Sequence, residues 1–431
     1  PTASRPSDHR PTTPAAQQLG PPAGRTPTSH VLVGPGTPTE QTPRQWAKLR
    51  PEGLLPNMWT VLIVGRVAMA KSQNDIQGTG MDFQPDFRHF LSVMRNERPE
   101  RLPVYEHIIC PEVMEKVLDC SFAELLAGDD ADRLEYFRHY TRFFREMTYD
   151  VVSFEVCITE ILPGSGALSG GKAGPIQNRA DMESYPWDDL ARRYWETAGG
   201  RFDALMAELP EGMRAVGGVG NGLFEISEDL VGLERLPLMQ VDDPELYADL
   251  YVSIGDLMME IWREFLGRYS DSFVACRFGD DLGYRSSLLT NPRTIRQHVM
   301  PQYRRLIDLI HSNGKPFLWH SCGNIFEVMD DAIDAGIDAK HSNEDAIAPF
   351  SRWIEDYGER IGLLGGFDMD FLGRKSPDEV YEKVLQRGQE YRDMARGYAL
   401  GSGNSIPDFI PVENYLAMIQ AAKEIRGRES N

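Results

Sequence analysis

A chain of 431 residues, 41% of them hydrophobic, can bury a large core, and this length suits one barrel-sized domain as well as two ordinary ones. A formal net charge of −20 argues against nucleic acid or an anionic membrane as the main partner, because phosphate binding needs clustered Lys and Arg. The five cysteines, Cys110, Cys120, Cys157, Cys276 and Cys322, form no Cys-x-x-Cys pair, which fits free thiols in a reducing cytoplasm better than a disulfide-stapled secreted domain.

Residues 1–80 differ from all that follows. Twelve of the 29 prolines fall within the first 57 residues, among Thr, Gly, Ser and Gln, a composition that cannot offset its ordering entropy by burial. This segment reads as a disordered leader or a translated upstream region. Trp59 to Ala70 is too short to span a bilayer and carries Arg66, so no membrane segment is expected.

From Met81 to Asn431 short apolar runs alternate with longer stretches of helical period. The predicted strands are Leu102–His107, Asp150–Val156, Ala215–Val219, Phe273–Gly279, Pro316–His320, Asp338–His341, Ile361–Gly366 and Tyr398–Ser402. Helices are predicted over Asp132–Met147, Pro244–Tyr269, Pro292–Ser312, Ile325–Ala335, Ala346–Tyr357, Pro377–Ala395 and Pro411–Ile425. Eight strands, with helices between them, predict an α/β fold, a single (β/α)8 TIM barrel whose chemistry gathers at the carboxyl ends of the strands. The insertion between Cys157 and Arg214, with Gly164, Gly166, Gly170 and Gly171, is expected to include a mobile loop over that face.

Several strand ends carry chemistry-bearing residues. Glu106 and Glu155 end the first two strands and can reach the barrel centre or pair with neighbouring loops. Asp280 and Asp281 sit between Gly279 and Gly283, where a carboxylate orients a ligand or simply shapes a turn. His320 and Cys322 end the fifth predicted strand. On an extended strand residues i and i+2 share one face about 6.6 Å apart, so imidazole and thiolate form a candidate metal half-site. The alternative is a hydrogen-bonded histidine beside a buried free cysteine. His107, His341, Asp368, Asn404 and Ser405 also lie at strand ends. Trp319, Tyr284 and Phe367 are candidates to line an apolar pocket, or they pack as core.

Phe278-Gly-Asp-Asp-Leu-Gly283, His320-Ser-Cys-Gly-Asn-Ile325, Gly365-Gly-Phe-Asp368, Gly401-Ser-Gly-Asn-Ser-Ile-Pro407 and Pro411-Val-Glu-Asn-Tyr-Leu-Ala-Met418 follow one another in this order. With these motifs the stretch from about Met81 to Gly427 resembles the uroporphyrinogen decarboxylase superfamily, which also contains corrinoid-linked methyltransferases. True decarboxylases of that family carry an arginine-rich segment after the first strand, which holds a polycarboxylate tetrapyrrole. The corresponding Tyr105–Met114 segment contains no arginine. The methyltransferase branch is similar in its His-x-Cys-Gly motif, where zinc binds histidine, cysteine and a later cysteine. His320 and Cys322 match, whereas Ser405 occupies the place of the later cysteine.

The resemblance therefore implies an enzyme that transfers a methyl group between a small-molecule substrate and a corrinoid protein or folate-type carrier. Zinc would sit on His320 and Cys322, with Glu106, Glu155 or Asp281 completing the shell, or be weakly held or absent. Asp281 and Glu155 would position or deprotonate the substrate. Two alternatives stay open: tetrapyrrole decarboxylation, with Asp368 or a neighbouring acid stabilising pyrrole charge, and a non-catalytic barrel that binds a corrinoid or a partner protein. Related barrels often dimerise, and the acidic surface does not oppose a homodimer.

Overall fold

Seven of the eight apolar runs form strands in the computed structural model, which describes residues 83–170 and 172–429; the leader read over 1–80, and Gly171, lie outside the described residues. The strands are β1 (Val151–Cys157), β2 (Arg214–Gly220), β3 (Phe273–Gly279), β4 (Phe317–His320), β5 (Ala339–His341), β6 (Gly362–Phe367) and β7 (Tyr398–Ser402). All are parallel and ordered as in the chain, a curled sheet with helices outside it.

The first predicted strand, Leu102–His107, is the exception. It meets β7 through an isolated bridge at Val104 and Leu400, in which the Tyr105 N–H donates to Leu400 and the Leu400 N–H to Pro103, both at 2.9 Å. Pro103 has no N–H with which to extend the ladder toward the start of β7, so the run stays below the length of a regular strand. The approach is close enough to need glycine in β7: a Cβ on Gly401 would lie 1.8 Å from the Tyr105 carbonyl oxygen. On its other side this segment is tied to β1 by side chains, with Ser153 Oγ and Arg277 Nη1 both donating to the His107 carbonyl.

The helices that fix the site are α1 (Phe87–Met94), α2 (Pro111–Leu118), α3 (Asp130–Glu146), α4 (Trp187–Ala207), α5 (Leu223–Val231), α6 (Pro244–Tyr269) and α7 (Met300–Ser312). The insertion after β1 holds a long helix as well as its glycine-rich stretch. It contains the 21-residue α4, whose inner face of Leu190, Tyr194, Ala198, Phe202 and Leu205 has helical spacing. Its glycine-rich stretch is fastened to α5, because Asp229 Oδ1 accepts from Gly166 N (2.7 Å) and Leu168 N (3.1 Å). Among the described residues no helix is long and apolar enough to cross a membrane.

Two apolar layers follow from strand alternation. The inner one comprises Val151, Val216, Leu318, Ala339, Leu364 and Ala399 and is capped at the amino-terminal end by Phe90, Val93 and Met94 of α1. The outer one packs β-strand residues such as Phe278, Trp319 and Phe367 against the helices.

Two buried polar groups hold this frame. Arg277, at 0% exposure, donates to Glu155 Oε2 (2.7 and 3.1 Å), Tyr105 Oη (2.7 Å), Ser153 Oγ (2.6 Å) and the His107 carbonyl (3.0 Å). Asp280 caps α5 from a distance: its carboxylate accepts from the N–H groups of Phe224 (3.1 Å) and Glu225 (2.9 Å) and from the Tyr303 hydroxyl of α7 (2.6 Å). Gly222, the residue before α5, has no side chain to do this.

Arg277→Met should lower the free energy of unfolding by about 3–5 kcal/mol, since it leaves Glu155 charged and unpaired. Asp280→Ala should cost about 2–4 kcal/mol through orphaned buried N–H groups, and Tyr303→Phe about 1 kcal/mol. Denaturant unfolding curves check both; an Asp280→Ala loss below that of Tyr303→Phe would contradict the capping role.

Candidate metal centre

The register of the sheet assembles the site. His320 of β4 pairs with His341 of β5 on one side and with Gly279 of β3 on the other, so both imidazoles point from adjacent strands into the barrel mouth. Gly279 adds no side chain beside them; a Cβ there would sit 3.5 Å from His320 Cδ2 and 3.9 Å from His107 Nε2. His107, from the short first strand, stacks on His320 with ring centroids 3.7 Å apart and planes 11° from parallel.

Hydrogen-bond accounting sets the tautomers. The Ser402 carbonyl can only accept, so His341 Nε2, 3.1 Å away, carries the proton. Burial holds His341 neutral, lowering its pKa to about 3, so its Nδ1 presents a lone pair. His320 Nδ1 lies 2.7 Å from that atom and must donate to it. His320 is likewise kept neutral by burial, which leaves its Nε2 as a bare lone pair facing Cys322 Sγ at 3.4 Å.

Two loops then meet over His320. The backbones at Gly283 and Gly323 approach so closely that a Cβ on Gly323, which has φ +81°, would lie 2.2 Å from Gly283. Asp281 Oδ1 accepts from the Cys322 N–H at 2.8 Å, and the Asn324 N–H donates to the Tyr284 carbonyl at 2.8 Å. Cys322 Sγ accepts from Asn404 Nδ2 (3.2 Å) and Ser342 Oγ (3.5 Å). Ser342 has φ +96°, an unfavourable conformation for a non-glycine residue. Lys340 Nζ braces it by donating to the carbonyls of His341 (3.3 Å) and Ser342, while lying 4.2 Å from the Trp353 ring centroid. Burial lowers the Lys340 pKa to about 7.

Ligand atoms of Asp281, His320 and Cys322 lie within 4.8 Å of one another. Zinc–sulfur and zinc–nitrogen bonds at a tetrahedral angle place sulfur and nitrogen about 3.6 Å apart, close to the separation found here. The same spacing also suits a thiol hydrogen bond, and burial raises the Cys322 pKa; a coordinated cation would reverse that shift. His107, His320 and His341 form a second group of this compactness. That group fits a metal poorly, because two of its rings are stacked and the facing Nδ1 atoms of the other pair share a proton. The donor set that fits is Asp281, His320 and Cys322, with soft, borderline and hard ligands suited to zinc.

The remaining expected residues are placed as follows. Glu106 is buried and holds Ser402, and burial raises its pKa to about 8. Glu155 receives both Arg277 bonds on Oε2, and its Oε1 lies 4.0 Å from Cys157 Sγ. Asp368 accepts from the N–H groups of Asp345 (2.8 Å), Asp370 (2.7 Å) and Phe371 (3.3 Å), capping the short helix Met369–Arg374. Trp319 packs outward near Tyr303, and Phe367 near Tyr391, so both lie between sheet and helices and not in the mouth. Tyr284 is exposed on the loop after β3. Asn404 reaches Cys322, and Ser405 donates its N–H to Asn404 Oδ1 at 2.7 Å. Lys340 and Ser342 were missed. The signal for the first was a lysine inside a predicted strand, directly before His341.

The sequence matches the profile of the family described as uroporphyrinogen decarboxylase (URO-D) over residues 87–425. Among solved structures, a methyltransferase from Methanosarcina mazei superposes with a TM-score of 0.63 at 16% identity, covering 79% of this chain and 99% of that one. A glycoside hydrolase family 5 enzyme from Prevotella bryantii aligns over 66% of this chain and 86% of its own, with 9% identity and a TM-score of 0.37, too low to carry any argument. No curated protein sequence matches significantly. With a match that spans the whole barrel from α1 to the last helix, the chain belongs to the uroporphyrinogen decarboxylase family.

Proposed function

We propose that this protein is a methyltransferase that moves a methyl group between a small-molecule substrate and a corrinoid protein or folate-type carrier, with zinc held by His320, Cys322 and Asp281. The carrying observation is the convergence of those three donors at the barrel mouth with the His320 Nε2 lone pair already directed at Cys322. When bound, zinc lowers the pKa of an acceptor thiol or hydroxyl so that the nucleophilic anion exists near neutral pH. Asn404 and Ser342 donate to Cys322 Sγ and favour its thiolate form. Glu155, fixed by Arg277 through one oxygen, presents the other as the group that positions the substrate or takes its proton.

The methyltransferase description of the Methanosarcina mazei structure agrees with this reading. So does the exposure of Tyr284 (66%) and Phe409 (73%) on the loops after β3 and β7, apolar side chains that a carrier protein can cover. Tetrapyrrole decarboxylation is less well supported. Tyr105–Met114 offers no guanidinium, and Arg277 is committed to Glu155, Tyr105 and Ser153. We place the reaction in the cytoplasm, in keeping with five free thiols.

Protein purified without chelators should contain about one zinc per chain by elemental analysis, lost in His320→Ala and Cys322→Ala, with affinity at least tenfold weaker in Asp281→Ala. A wild-type protein that neither carries nor takes up zinc would refute the metal assignment. Mass spectrometry should detect methyl transfer from a methylated corrinoid or methyl-folate, but no decarboxylation of uroporphyrinogen. The opposite pair of results would replace methyl transfer by the lyase reading.

A further inference from the structure

Glu106 and Ser402 are hydrogen-bonded to none of the three donors of the candidate metal centre, yet one hydrogen-bonded path to each of His320 and Cys322 starts at Ser402. Ser402 Oγ has one proton and two contacts, Asn404 O at 2.6 Å and Glu106 Oε2. The Asn404 carbonyl cannot donate, so the Ser402 proton goes to it. The contact with Glu106 then needs a proton of its own, and the carboxyl group is its only source. Glu106 Oε1 meanwhile accepts from the Ser402 N–H at 2.9 Å, as the carbonyl oxygen of a neutral acid would.

From Ser402 two branches reach the site. Its carbonyl takes the His341 Nε2 proton, which makes His341 Nδ1 the acceptor for His320 and leaves His320 Nε2 bare. Its hydroxyl holds the Asn404 carbonyl, and Asn404 Nδ2 donates to Cys322 Sγ. Glu106 is 1% exposed, and burial disfavours its anion, in agreement with the proton count.

We propose that Glu106, as a neutral carboxylic acid acting through Ser402, is a positioning residue that fixes the tautomer of His320 and the seat of Cys322. This rests in part on the reading of the site as a metal centre, and the test separates the two. Glutamine reproduces a neutral acid, with one oxygen to accept and one N–H to donate, whereas leucine reproduces only its bulk. Wild type, Glu106→Gln, Glu106→Leu and Ser402→Ala would be compared by 15N NMR of histidine-labelled metal-free protein, by cobalt(II) titration monitored through the thiolate charge-transfer band, and by infrared difference spectra.

Wild type minus Glu106→Gln should show the carbonyl band of a protonated carboxyl group at neutral pH. Glu106→Gln should keep the Nδ1–H tautomer of His320 and bind cobalt within about threefold of wild type. Ser402→Ala, which keeps the carbonyl that accepts from His341 but loses the hydroxyl that holds Asn404, should keep the tautomer and bind cobalt roughly 10-fold more weakly, whereas Glu106→Leu, which lets the whole of Ser402 shift, should lose the single tautomer and bind roughly 10- to 100-fold more weakly. A carboxylate band for Glu106, or equal loss in the Gln and Leu variants, would overturn the proposal, and Ser402→Ala serves as the positioning variant if Glu106→Leu does not fold. Failure of wild type to bind cobalt would refute the metal reading alone, with the infrared band and the NMR tautomer still deciding the role of Glu106.

Discussion

A single buried guanidinium completes this barrel. Between the Leu102–His107 segment and β1, no backbone bridge exists among the described residues; Arg277 spans the gap from β3, gripping Tyr105 and His107 on one side and Ser153 and Glu155 on the other. Such a charge is costly to bury, and four partners in a fixed fork geometry are what make it tolerable. The same residue sets the chemical character of the mouth, since it converts Glu155 from a buried unpaired acid into an oriented one with one oxygen unclaimed by the guanidinium.

Above that layer, the imidazoles at the site are neutral. His107, His320 and His341 are all kept uncharged by burial, and Glu106 is biased the same way, in a chain whose formal charge is −20. A metal-binding reading draws on this directly. Imidazoles that resist protonation keep their lone pairs available over a wide pH range, and a low-polarity surround strengthens any charge that a cation brings.

Much of this was legible in the sequence, and what was not has identifiable causes. The strand ends that carry His320, Glu155 and Asp281 follow from apolar periodicity and glycine punctuation, which are local signals. The shortening of the first strand was also written locally, in Pro103. Strand alternation already implied that Trp319 and His320 face opposite ways, so the outward tryptophan was available to a stricter reading of the period. Other features are tertiary. That Asp281 and not Glu106 stands with His320 and Cys322 depends on Gly283 meeting Gly323, a contact between loops 40 residues apart in the chain. The partnership of Glu106 with Ser402 joins positions 296 residues apart, beyond the reach of any motif.

The adjacent carboxylates of Asp280 and Asp281 face in opposite directions: one grips the amino-terminal turn of α5 and the phenol of α7, the other the backbone of the Cys322 loop. One peptide unit separates the two grips, and that unit is planar and stiff. The seat of α5, whose far end also carries the Asp229 anchor of the 166–168 loop, and the seat of the Cys322 loop are therefore set by consecutive residues. The packing of the outer helices and the position of the atoms that would hold the metal thus share one fixed point in the chain.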